Sequence, residues 1–75
     1  MAALAPVTPQ VFFDELLSSR AARRGEVVRR NVRVVERYVG REIFVREMRR
    51  RGYSVVENAG QFVIFCNSAP VRRIV

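Results

Sequence analysis

The sequence predicts an α+β domain of three N-terminal helices followed by a β-hairpin, with 71–75 able to supply a short third antiparallel strand. Three observations carry that prediction. Apolar residues recur at helical spacing from Phe12 to Met48, and the pattern turns strand-like at Tyr53. The chain of 75 residues, 49% apolar and 28% charged, suits one thin core rather than a disordered or membrane protein. Residues 1–7 read as a disordered tail and 8–75 as a single small basic domain.

Thr8 before Pro9 is a helix start, because the threonine hydroxyl can accept an orphan amide and proline suits the first turn. Phe12, Phe13, Leu16 and Leu17 share a face, with Asp14, Glu15, Ser18 and Ser19 opposite, predicting a first helix over 9–23 that stops at Gly25. From Glu26, Val28, Val32, Val35 and Val39 sit at i, i+4, i+7 and i+11, and Val27, Val34 and Tyr38 widen that face. A second helix follows from the spacing, although valine prefers strands. In that helix Arg29, Arg30, Arg33 and Arg37 would lie within about a 100° arc opposite the valines.

Gly40 separates this segment from REIFVREMRRR, a third helix closed by Gly52 with Tyr53 just beyond. Phe44, Val45 and Met48 form its apolar side, and Ile43 points away. Glu42 with Arg46 and Glu47 with Arg51 are i, i+4 pairs in the favourable orientation.

The hairpin is expected to turn through Asn58, Ala59 and Gly60, with Glu57 opposite Gln61. In that register one face holds Val56, Phe62, Ile64 and Cys66, and the other holds Tyr53, Val55, Val63 and Phe65. Both faces are apolar, and the helices can cover only one. That predicts a homodimer with Tyr53, Val55, Val63 and Phe65 at its interface.

All fourteen basic residues are arginine and the net charge is +7. Arginine suits phosphate, and an arginine-biased genome would give the same composition. Position is more informative: 20–51 holds twelve arginines and four glutamates, net +8, against −1 for the rest. Arg20, Arg23 and Arg24, like Arg49, Arg50 and Arg51, close helices, where cations offset the macrodipole. A row of like charges on a helix face repels itself unless a polyanion lies along it. With Glu26 paired to Arg30 and Glu36 to Arg33, Arg29 and Arg37 would remain without a counter-charge.

The expected activity is therefore nucleic-acid binding, DNA before RNA, through phosphate contacts from Arg29, Arg30, Arg33 and Arg37 with support from Arg23, Arg24, Arg49 and Arg50. The alternative is a homodimeric interaction module, adaptor-like or antitoxin-like, for an acidic protein. A winged helix is a further candidate, with 41–51 as reading helix and 57–61 as wing tip, in which Arg46, Arg49 and Arg50 would contact bases. Two features argue against it: ENAGQ offers no cation, and positions around Gly40 that should be apolar include Arg41, Arg46 and Arg49. An RNA-stacking platform of Tyr53 and Phe65 is less consistent with so apolar a strand.

A single cysteine and no histidine argue against a disulfide or a zinc site, and Cys66 continues an apolar alternation as an inert thiol. The sequence has no nucleophile–base arrangement and no phosphate loop, so no enzyme, cofactor, metal or small-molecule substrate is expected. No apolar run approaches the roughly 18 residues of a membrane span, and a cytoplasmic location is expected.

Overall fold

Thr8 caps as its type predicts: its Oγ1 accepts the Val11 N–H at 3.2 Å and opens α1 (Pro9–Leu16). The computed structural model describes residues 8–75, so the tail expected at 1–7 lies outside the described residues. The first helix is interrupted rather than continuous to Arg23. Ser18 Oγ donates to the Glu15 carbonyl at 2.8 Å, and Ser19 Oγ accepts the Ala22 N–H at 3.2 Å to start a separate turn, α2 (Arg20–Arg23). Adjacent serines offer the backbone local partners that compete with helix continuation.

The second expected helix begins later than its valine spacing suggests. Val27–Asn31 is a strand, β1, and only Val32–Tyr38 is helical, as α3. Asn31 makes the boundary, since its Oδ1 accepts the Val34 N–H at 3.2 Å as an N-cap. Upstream of it the β-branched pair Val27 and Val28 finds a partner strand and follows its own preference. Val28 is buried in the strand, and Val32 and Val35 in the helix, so a spacing of four residues survives across a change of structure.

Val39 and Gly40 connect α3 to α4 (Arg41–Arg51), the helix expected there. Gly40 has φ 84° and ψ 152°, a conformation that side chains strongly disfavour and that turns the chain sharply between the two helices. The C-terminal end of α4 closes at a left-handed Gly52, where the Tyr53 N–H reaches the Met48 carbonyl at 2.9 Å.

The hairpin is β2 (Ser54–Asn58) and β3 (Gln61–Phe65), with a register one residue from that expected: Asn58 pairs with Gln61, Val56 with Val63 and Ser54 with Phe65. Both turn residues, Ala59 at φ 51° and Gly60 at φ 76°, have the positive φ of a two-residue type I′ turn. Alanine gives no sign in a sequence that it will take this conformation. The slip exchanges the faces of β2, as it must with a side-chain period of two. Tyr53 and Val55 pack against the core beside Phe62, Ile64 and Cys66, while Val56 joins Val63 and Phe65 on the outer face.

The sheet is antiparallel throughout in the order β1-β3-β2. Its third strand is therefore Val27–Asn31, not 71–75, which forms no strand. The α+β class stands, and the connectivity runs as a strand, a helix pair, then a hairpin whose second strand pairs with the first. Arg41, Arg46 and Arg49 lie on the solvent side of α4. The core positions are taken by Val32, Val35, Phe44 and Met48. Phe44 stacks at 6.4 Å from Phe13 and 4.6 Å from Phe62, which joins α1, α4 and β3.

Candidate nucleic-acid interface

The arginine row expected along one helix does not form. Arg29 and Arg30 are successive strand residues and project from opposite faces of β1. Arg30 is turned inward, donating to the Arg29 carbonyl at 2.7 Å and the Leu16 carbonyl at 3.4 Å. It has no ion pair with Glu26, and Glu36 pairs with Arg41 rather than Arg33. Arg29 stands on the outer face of the sheet beside Val63. Only Arg33 and Arg37 remain on a helix, on the exposed side of α3 opposite Val32 and Val35.

A different ridge exists on α4. Phe44 and Met48 are fully buried, and at 100° per residue Arg46, Arg49 and Arg50 fall within about a 100° arc on the far side, with Glu42 inside the same arc. All are exposed. Arg46 pairs with Glu42 at 3.2 Å, a contact between two largely exposed groups that contributes little. Arg49 has no carboxylate within 4 Å among the described residues. Arg23 and Arg24 lie at the end of α2, exposed and without an ion pair among the described residues.

The last turn of α4 is organised by Glu47. Its carboxylate accepts from Arg50 and from Arg51, the shortest contact to each being 2.6 Å. Those hydrogen bonds, Arg50 first, hold its pKa at about 2 against an ordinary 4.5, despite partial burial that acts the other way. Glu47 thus fixes Arg50 with its outer guanidinium edge toward solvent.

Arg41, which in the sequence is only a charge at a position near Gly40 that should be apolar, is a clamp. It donates to Glu36 of α3 at 3.0 Å and Glu57 of β2 at 2.9 Å, and its guanidinium lies 5.2 Å from the ring centre of Phe62. Hydrogen bonds to Glu36 and then to Glu57 push its pKa up. The bond to Glu57 spans sixteen residues, so local spacing contains no trace of it. This contact anchors the hairpin to the first turn of α4, while 57–61 itself carries no cation.

Among the described residues no group of His, Cys, Asp and Glu could hold a metal, and no helix is long and apolar enough to cross a membrane. Cys66 is buried, which pushes its thiol up and away from reactivity. Tyr53 and Phe65 lie on opposite faces of the sheet, so they form no joint stacking platform. No protein family, curated protein or solved structure matches the chain.

Proposed function

We propose that this protein binds duplex DNA, with α4 as the helix presented to the major groove. The observation that carries the reading is the exposed ridge of Arg46, Arg49 and Arg50 on the second helix of a helix-turn-helix, backed by fully buried Phe44 and Met48. Its eleven residues give a rod about 16 Å long, a size that the major groove of B-form DNA admits and the narrow groove of A-form RNA does not. Arg46 and Glu42, nearer the N-terminal end, are placed to meet base edges. Arginine matches guanine O6 and N7, and a carboxylate accepts the cytosine amino group.

Arg49 and Arg50 follow on the last turns and suit phosphates, as do Arg33 and Arg37 on α3. The hairpin, whose tip carries no cation, contributes by holding α4 through the Arg41 clamp rather than by touching phosphate. Such a protein would act in the cytoplasm, without a catalytic step. Fluorescence anisotropy of a labelled duplex and a labelled single strand, each titrated against salt, tests the reading. With about four phosphates neutralised, duplex affinity should fall about a hundredfold between roughly 50 and 200 mM salt. A weak response that is flat in salt, or a preference for the single strand, would contradict it.

A further inference from the structure

Both outer strands of the sheet present an edge, and a side chain occupies part of only one of them. On β1 the Cys66 N–H reaches the Glu26 carbonyl at 3.2 Å and the Val32 N–H reaches the Gly60 carbonyl at 2.9 Å. Even-numbered residues therefore face β3, and Arg29 turns its backbone outward. That outward carbonyl is already taken by the Arg30 guanidinium at 2.7 Å. On β2 the two-residue turn makes Asn58 and Gln61 a hydrogen-bonded pair, so Val56 and Ser54 also bond to β3. Val55 and Glu57 consequently turn their N–H and C=O groups outward. No side chain among the described residues bonds to them, and β2 has neither a proline nor a bulge to discourage pairing.

Beside this edge runs a groove of about 480 Å³ between α4 and β2. Its apolar walls include Val45, Met48, Val55 and Phe62, with Arg49 at the Tyr53 end and Glu57 at the other. The groove is therefore polar in direction: at the Glu57 end Arg41 is held between Glu57 and Glu36, a cluster of net charge −1, and at the other end Arg49 has no carboxylate within 4 Å among the described residues. A twofold axis reverses one copy relative to the other and brings opposite ends together.

We propose that a second copy of this chain occupies the edge, pairing antiparallel along β2 about a twofold between the two Val56 residues. Backbone parity selects this register. Val55 of each copy exchanges both hydrogen bonds with Glu57 of the other, so every outward group on these residues is used. Centring on Glu57 would set like charges opposite one another, and centring on Val55 would ask for the Tyr53 N–H, which is committed to Met48. In the chosen register Glu57 of one copy lies beside Val55 of the other, on the side of the groove where Arg49 stands. On the outer face the two Val56 side chains meet and extend the apolar stripe of Val27, Val63 and Phe65 into a six-stranded sheet. Arg49 is shared with the proposed DNA surface, so the pairing is measured without nucleic acid.

Sedimentation over a wide range of protein concentration provides the test. The chain should sediment at twice its mass. Val55→Pro, which removes one outward N–H and leaves the β2–β3 ladder intact, should weaken the dimer at least tenfold, and so should Arg49→Glu. Circular dichroism and thermal unfolding verify that each variant folds. If the proline variant does not, the surface substitution at Arg49 alone decides. A monomer at the highest concentration, or a dimer that a folded variant leaves unchanged, would overturn the proposal.

Discussion

The stretches 29–37 and 41–51 are both arginine-rich, yet the fold treats them differently. The first is divided between a strand and a short helix, so its arginines point to both faces of the sheet and off α3, and one folds back onto backbone carbonyls. The second is one uninterrupted helix, so its cations sort into a clamp at the start, an outward ridge and a carboxylate-organised end. Charge density along a chain says little about charge density on a surface until the period of the backbone is known. The same arginines would have formed a single row had 26–39 been helical throughout.

The largest consequence concerns DNA affinity. Reversing Arg46, Arg49 and Arg50 to glutamate should lower duplex affinity by a hundredfold or more and flatten its salt slope by about 2–3, since each phosphate left without its arginine lowers the slope by about 1. Reversing Arg33 and Arg37 should cost about tenfold and a slope of about 1–2, whereas Arg29→Glu should leave affinity unchanged. Anisotropy at several salt concentrations separates the three, and equal effects would erase the distinction between the two stretches.

A smaller effect distinguishes how their ends are held. Glu47 has its pKa lowered to about 2 from an ordinary 4.5, so it binds protons less readily folded than unfolded. Its stabilisation is fully present above the unfolded value and is lost as pH falls from about 5 toward about 2. Thermal unfolding across that range should show a fall in Tm that Glu47→Gln makes shallower, with a lower Tm for the variant at neutral pH. The stretch 29–37 contains no such carboxylate bridge.

The smallest expected change tests the junction that splits the first stretch. Asn31→Ala removes the N-cap of α3 and should cost about 1 kcal/mol in chemical denaturation, with the midpoint reduced and the slope preserved. An unchanged midpoint would mean that strand pairing alone ends β1.

The α4 element is legible in the sequence because every local signal agrees: Phe44 and Met48 at i, i+4, glutamates ahead of arginines, and Gly52 at the end. The hairpin is legible in outline but not in register, since nothing marks Ala59 for a positive φ. The start of α3 is hidden because Val28 lies four residues before Val32, so a strand residue mimics a helical one. Asn31 is the available sign, a residue better placed as a cap than inside a helix. The ridge of Arg46, Arg49 and Arg50 can be named from the sequence only conditionally on a winged helix. Placing 27–31 in the sheet rather than in a helix requires the pairing of Val28 with Ile64, a contact between distant segments.

DNA binding through α4 is tested most directly by titrating an isotope-labelled sample with duplex and following backbone amide shifts. The largest perturbations should fall on α4 from Glu42 to Arg50 and extend to Arg33 and Arg37, with Arg29, Val63 and Phe65 unmoved. Perturbations centred on the outer sheet face, or none along α4, would contradict the assignment of α4 as the surface that meets DNA.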